Sequence, residues 1–405
     1  MKQNESEDIN FTHTRRSFIL HGMTTGVLAH TGVNDRIRLA LIGCGSRGRA
    51  LLDTVRDSGE NAAITTVCDV WRVNREAMAH AVARVFGREP VQTSRYQEVL
   101  NRADIDAVLI ATPDFTHPKI LADAVEAGKD AYVEKPFAVT PEEARMAYDA
   151  VKRSGRVVQV GTQHRSEGAF IAVAQVIQQG VIGKVTRVSM EVHFQEPRWR
   201  REYQSVKPED VDWEAFCLGG RIKGGFDARK LRQWQLFSDT SNGIPGLWMT
   251  HLIDLVAWYL QDPFPKSAMA MGGVYLWKDG RQTTDVFQAM LEYTDCLVSF
   301  AMSLTNAAGS RNLWFGTKGT LDANALRVSG EGSHDPNRVP QPYQLTIPSD
   351  IESHMANFLR CVRNRSTPRA SVEAGYAHAV ATCMAAVSLR TGRRTGYDPV
   401  KREMI

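Results

Sequence analysis

Gly43-Cys44-Gly45-Ser46-Arg47-Gly48 interrupts the apolar run that begins at Arg36 and gives way to a helical pattern. Strand, glycine turn and helix in that order make an anion site. Gly43 permits the tight turn, Gly45 lets backbone N–H groups approach phosphate oxygens, and Gly48 lets the helix pack on the sheet with its positive end at the anion. About 20 residues further on, the run Ala62–Cys68 ends at Asp69, a carboxylate suited to accept hydrogen bonds from an adenosine ribose diol. Together these residues imply a bound dinucleotide. Asp69 favours NAD because a carboxylate repels a 2′-phosphate, while Arg72 lies close enough to keep NADP open. Two further segments, Ala111-Thr112-Pro113-Asp114-Phe115-Thr116-His117 and Val133-Glu134-Lys135-Pro136-Phe137, each follow a short apolar run. Alone, Glu134-Lys135 reads as a solvated ion pair. At the carboxyl end of a parallel strand it sits on the edge where open α/β sheets bind ligands.

The elements that would position these residues alternate. Strands are expected at Arg38–Ile42, Ala63–Cys68, Ala107–Ala111, Asp130–Val133 and Arg156–Val160, with helices near Arg47–Asp57, Arg72–Phe86, His117–Ala127 and Pro141–Ser154. Alternation of this kind argues for a parallel sheet. Gly59, Gly87, Gly128 and Gly155 lie where helix C-terminal caps belong, and Thr140-Pro141 reads as a cap followed by a first-turn proline. After a helix at Gly168–Gln179 the pattern changes to consecutive strands: Val185–Phe194, Ala268–Tyr275, Val286–Tyr293, Leu297–Leu304, Leu313–Gly316 and Leu326–Ser329. Those read as an antiparallel sheet. Ser329–Pro348 is expected to be a surface loop, and Ser349–Arg363 and Ser371–Arg390 terminal helices. The fold class is therefore α/β: an N-terminal Rossmann dinucleotide-binding domain over residues 35–162, then an α/β domain over 163–405 with an open, mainly antiparallel sheet.

Composition sets the outer bounds. With 405 residues there is room for two domains and a large core, and a net charge of +4 with dispersed cations gives no argument for nucleic acid or a membrane surface. The six cysteines show no C-x-x-C or C-x-x-H spacing, so neither a metal site nor a redox pair is expected. No apolar run approaches the ~18 residues of a membrane span. Residues 1–34 carry Thr14-Arg15-Arg16-Ser17-Phe18-Ile19-Leu20 and a small-residue stretch at Val27-Leu28-Ala29. That segment reads as a twin-arginine-type export leader, implying a periplasmic protein, or else as a disordered basic leader of a cytoplasmic one.

The glycine loop, A-T-P-D-F-T-H, V-E-K-P-F, V-Q-V-G-T-Q-H-R at Val158–Arg165 and the His251-Leu-Ile-Asp254 segment resemble the glucose–fructose oxidoreductase, inositol dehydrogenase and rhizopine-catabolism (Gfo/Idh/MocA) family of NAD(P)-dependent sugar dehydrogenases. The resemblance runs from Arg36 to Pro399. It implies that Gly43, Gly45, Ser46, Arg47 and Gly48 hold the pyrophosphate and Asp69 the ribose. Thr112, Pro113 and His117 would line the nicotinamide-ribose wall, and Glu134 would hold the ribose or carboxamide. Lys135 would touch both nicotinamide and substrate, with a Lys135–Pro136 bond that is often cis. His251 would be a second acid/base, oriented by Asp254 three residues on. The resemblance also implies a carbohydrate or cyclic polyol substrate and a homo-oligomer. Oxidising a carbinol requires a group to take the hydroxyl proton and a cation to steady the alkoxide, and Lys135 and His251 fit those needs.

In one place the chain departs from the family. Many relatives carry an Asp four residues before the histidine, where Leu247 stands here. Either another acid such as Asp239 substitutes, or Lys135 and His251 suffice. Gln163, His164 and Arg165 are candidates to reach substrate. The segment His193–Arg201, with Arg232 and Trp234, reads either as an aromatic and cationic sugar wall or as a subunit interface. The favoured activity is hydride transfer between nicotinamide and a ring carbinol. An NAD-dependent glycoside hydrolase, working through transient oxidation and elimination, and a non-catalytic nucleotide-binding regulator stay open as alternatives.

Overall fold

A computed structural model describes residues 35–405, so the leader read over residues 1–34 lies outside the described residues. The first half alternates as β1 (Ile37–Ile42), α1 (Ser46–Arg56), β2 (Ala62–Cys68), α2 (Arg72–Phe86), β3 (Val91–Thr93), α3 (Tyr96–Leu100), β4 (Ala107–Ile110), α4 (His117–Glu126), β5 (Asp130–Glu134), α5 (Pro141–Ser154) and β6 (Val158–Gly161). The sheet is parallel throughout, in the order β3-β2-β1-β4-β5-β6. Winding reverses between β1 and β4, which makes their carboxyl ends the switch point where such sheets take ligands. Local signals fix the helix ends. Thr140 accepts a hydrogen bond from the Glu143 N–H at 3.2 Å, Pro141 opens α5, and Gly155 closes it in the left-handed region. Short elements the pattern does not announce are β3 and α3.

The second half continues with α6 (Gly168–Gln178), β7 (Val185–His193), the short helices α7 (Trp213–Phe216) and α8 (Ala228–Arg232), and α9 (Thr250–Leu260). It then forms β8 (Ser267–Gly273), β9 (Val286–Glu292), β10 (Leu297–Ser303), β11 (Ser310–Gly316), β12 (Gly319–Asp322), β13 (Arg327–Ser329), β14 (Tyr343–Gln344), α10 (His354–Asn364), α11 (Val372–Thr391), β15 (Thr395–Asp398) and β16 (Glu403–Met404). The ten-stranded sheet runs β14-β13-β12-β11-β7-β10-β9-β8-β15-β16. It is not wholly antiparallel, because β7 pairs parallel with β10. Topology requires this: β10 and β11 follow one another in opposite directions, and β7 lies between them, so it must run parallel to one. The expected loop after Ser329 carries β14. The first terminal helix starts later than expected, at His354, where the Ser353 hydroxyl caps the Ala356 N–H at 3.2 Å.

Both faces of the parallel sheet are covered. Leu39 and Leu41 pack with Leu51, Leu52 and Val55 of α1, Met78 and Val82 of α2, and Phe358 and Leu359 of α10. On the other face Ile42, Val108 and Ile110 meet Ile120 and Leu121 of α4 and Ala147 and Val151 of α5. This second core continues into the ten-stranded sheet through Phe137, Val160, Tyr376 and Met384. α11 is long and apolar enough to cross a membrane by composition, but 83 % of that apolar stretch is buried within the protein, as expected of a core helix. On α11, a Cβ added to Gly375 would lie 2.8 Å from side-chain carbons of both Phe137 and Val160. A helix-interior glycine ordinarily gains about 1 kcal/mol on becoming alanine, whereas overpacking costs about 1–3 kcal/mol. Gly375→Ala is therefore expected to lower stability, read as a reduced urea midpoint at unchanged m-value.

Candidate active site

The glycine turn follows β1 and the loop Thr112–Thr116 follows β4, side by side on the sheet edge. Gly43 adopts a φ of +97°, and a Cβ there would lie 2.4 Å from the Ala111 carbonyl oxygen. A Cβ on Gly48 would meet the Gly43 oxygen at 2.1 Å. Around Gly45, by contrast, the Cβ position is open for 4 Å. α1 has neither a side-chain cap nor an acid in its first turn, so its leading N–H groups face an open space of the kind a pyrophosphate fills. Asp69 accepts hydrogen bonds from the Cys44 N–H at 2.7 Å and the Trp71 N–H at 2.8 Å. Those use two of a carboxylate's roughly four acceptor positions and leave the others for a diol. The residues present therefore fit a dinucleotide.

Arg47, implied by resemblance to hold pyrophosphate, instead gives its guanidinium to Glu134 at 2.6 Å. Glu134 is 4 % exposed and also receives the Gln163 amide at 3.1 Å and the Tyr132 hydroxyl at 3.3 Å. Its carboxylate lies against Gly161, where a Cβ would approach it to 2.7 Å. His117 is fully buried rather than lining an open wall. Its ring bridges the Pro136 and Thr112 carbonyl oxygens, each at 2.8 Å, and ties the ends of β4 and β5 together. Thr112 accepts the Thr116 hydroxyl at 2.6 Å, and Pro113 precedes the turn Asp114–Thr116 that leads into α4.

Lys135 follows β5, and its bond to Pro136 is cis. Its ammonium donates to the backbone carbonyl of Leu247 at 2.9 Å. Leu247 belongs to a π-helical turn, Pro245–Met249, that runs directly into α9. Where the family resemblance implies a carboxylate side chain, this chain thus presents a carbonyl oxygen. Asp239 does not replace the missing acid, for its carboxylate pairs with Lys230 at 2.6 Å. His251 stands one turn beyond Leu247, half-buried. Burial and the Lys135 ammonium push its pKa well below the ordinary histidine value, so the ring is neutral. Among the described residues neither of its ring nitrogens has a hydrogen-bond partner. The His164 ring lies 5.4 Å away, stacked on Phe170 at 4.0 Å and bonded to Glu167 at 3.0 Å.

Asp254 does not orient His251. It is 1 % exposed and takes a bidentate contact from Arg165 at 2.8 and 3.0 Å. Arg165, a candidate substrate contact by sequence, therefore points inward, with its guanidinium 5.3 Å from the Trp258 ring. The other partner of Asp254 is His378 of α11, whose Nδ1 lies 3.6 Å away, just beyond hydrogen-bond length. The opposite nitrogen of His378 accepts the Phe137 N–H at 3.2 Å, which leaves the ring proton on Nδ1, facing Asp254. Sequence reasoning passed over His378, since a lone histidine in an apolar helix reads as core. Trp234 packs against the core from its own short turn, and Arg232 lies over Trp71 at 4.8 Å. Nearer His251, Arg198 sits over Phe194 and Trp248 at 4.3 and 4.8 Å, and Trp248 is 6.3 Å from the His251 ring.

A six-stranded parallel sheet with this turn and acid, joined to a large mixed sheet, defines a two-domain dinucleotide-binding protein. The chain belongs to the Gfo/Idh/MocA oxidoreductase family: the model of that family's NAD-binding Rossmann fold matches residues 37–162, and that of its C-terminal α/β domain matches residues 174–397. Among curated relatives, the scyllo-inositol 2-dehydrogenase (NAD(+)) of Bacillus subtilis (strain 168) is 35 % identical over 152 residues, covering 38 % of this chain and 43 % of that protein. A glycosyl hydrolase family 109 protein of Shewanella sp. (strain ANA-3) is 30 % identical over 186 residues, covering 45 % and 40 %. The chain thus spans about two fifths of the length of these curated relatives. The WlbA dehydrogenase of Bordetella pertussis, solved with NADH and UDP-GlcNAcA, superposes with a TM-score of 0.68 at 19 % identity, covering 90 % of this chain and 99 % of that one, a likeness of fold.

Burial works against the charge on Asp254, but Arg165 and His378 more than offset it and hold its pKa below the ordinary value. A carboxyl with a depressed native pKa adds stability above its unfolded value and loses it as pH falls through the native one. Asp254→Asn is therefore expected to cost about 3–5 kcal/mol at neutral pH, where it leaves Arg165 unpaired. Urea titrations from neutral to acid pH should show this difference intact above pH about 4 and shrinking below it.

Proposed function

We propose that this protein is an NAD-dependent oxidoreductase that moves a hydride between nicotinamide C4 and a ring carbinol of a sugar, sugar derivative or cyclic polyol. The observation that carries the reading is the Lys135 ammonium, held by the Leu247 carbonyl beside a neutral His251. When bound, nicotinamide supplies the hydride acceptor. Lys135 spends one N–H on Leu247 and keeps two for the substrate oxygen. Because a carbonyl orients the ammonium without neutralising it, the full charge is available to steady the developing alkoxide. His251, neutral and with ring nitrogens unengaged, takes the hydroxyl proton. Glu134, paired with Arg47, holds the ribose or carboxamide, and the turn Gly43–Gly48 with Asp69 holds the pyrophosphate and adenosine ribose. Arg72 is committed to Asp210 and Glu76, which supports NAD over NADP. We also propose export of the folded protein by the leader at residues 1–34.

The test is a panel of cyclic polyols and sugars assayed for NADH formation. With the best substrate, Lys135→Ala should lower kcat/KM by about 10²–10⁴ while NAD binding persists. Unchanged activity in that variant would end the proposal. The likeness to a glycosyl hydrolase relative motivates a parallel panel of nitrophenyl glycosides. Nitrophenol release without net NADH would assign the same residues to transient oxidation followed by elimination.

A further inference from the structure

Oxidising a carbinol releases a proton, and Leu247 stands where the family resemblance implies an acid to handle it. Burial and the Lys135 ammonium disfavour the imidazolium, so His251 must hand on any proton that it takes. Lys135, His164, Arg47 and His378 are titratable groups whose charges bear on the His251 ring. Lys135 and Arg47 carry only donors, and the acceptor nitrogen of His378 is taken by the Phe137 N–H. Of these four, His164 alone offers a free acceptor.

His164 lies in the tight turn Gln163–Ser166 between β6 and α6. Its neighbours turn elsewhere, Gln163 to Glu134 and Arg165 to Asp254. The ring is fixed by its stack on Phe170 at 4.0 Å and by the bond from Nδ1 to Glu167 at 3.0 Å. A carboxylate only accepts, so Nδ1 carries the ring proton and Nε2 presents a lone pair. The centre of the His251 ring is 5.4 Å away, a separation that one water bridges. Exposure rises outward, from 20 % for the His164 side chain to 49 % for that of Glu167, which stands at the N-terminal end of α6.

We propose that His164 and Glu167 form a relay that carries the proton from His251 to solvent. The inference rests on the proposed oxidation with His251 as base. As the carbinol C–H leaves as hydride, the hydroxyl proton passes to one ring nitrogen of His251. The other His251 nitrogen yields its proton to His164 Nε2. His164 releases its Nδ1 proton along the bond to Glu167, whose exposed carboxylate gives it to water. Both rings end neutral, and exchange with solvent after product leaves restores their starting tautomers. His164 and Glu167 act through His251 and are positioning residues.

The test uses the full chain with NAD and the best substrate of the polyol and sugar panel. His164→Ala should lower kcat by roughly tenfold or more at unchanged KM. Added imidazole should restore most of that loss, with rescue following the pKa of the buffer base across a series, and should not accelerate the wild type. Unchanged kcat in His164→Ala, or a loss that no buffer base repairs, would overturn the relay. A second readout needs no turnover: in 15N-histidine NMR at mildly alkaline pH, the signals lost in His164→Asn should be those of an Nδ1–H tautomer. An Nε2–H tautomer there would also overturn the relay. His251→Ala, run alongside, separates this inference from the reading beneath it, since full activity in that variant would remove the base and the relay together.

Discussion

Asp254 is a carboxylate inside a protein interior, where an isolated charge is untenable and a paired one is strongly directional. Its oxygens draw together Arg165 from beyond β6 and His378 from α11, while the aspartate itself rides on α9. Through His378 the same cluster reaches the backbone N–H of Phe137, two residues past Lys135. The lysine thus sits in a loop pinned from behind by a buried ion pair and from the side by His117. Its ammonium is aimed by the fold, and no acid at the reaction centre is required for that aim.

That arrangement accounts for a leucine at the position where the family resemblance implies an acid. A π-helical turn widens the backbone ring and turns a carbonyl outward, and such turns recur at functional sites. Here the Leu247 carbonyl holds Lys135, whereas the leucine side chain is buried. Orientation is retained and charge compensation is dropped. His251 stays neutral because burial and the neighbouring Lys135 ammonium both disfavour the imidazolium.

The parts of this protein written in local chemistry were legible in the sequence. Helices Arg72–Phe86 and Pro141–Ser154 end where their caps and glycines indicate, and the switch-point loops follow the strands the alternation predicts. β3, α3, β15 and β16 are too short to impose a period. The parallel pairing of β7 with β10 depends on which strands become neighbours, and no local pattern encodes that. The site divides in the same way. Glycines constrained by φ or by close approach were identifiable from type and spacing. The partner of Asp254 was misassigned because helical spacing fixes which residues share a face, while the choice between His251 and a distant Arg165 is made by tertiary packing. His378 and the Leu247 carbonyl carried no signal at all, since neither a core histidine nor a main-chain oxygen stands out in a string of letters.

The cover supplied by α10 has a further consequence. Phe358 and Leu359 complete the layer over β1 on the face shared with α1 and α2. Those residues are synthesised more than 300 positions after the strand they shelter. On the ribosome this part of the sheet's cover therefore arrives only after nearly the whole chain has emerged. Excised on its own, the glycine-turn half would expose the apolar flank that Phe358 and Leu359 shelter.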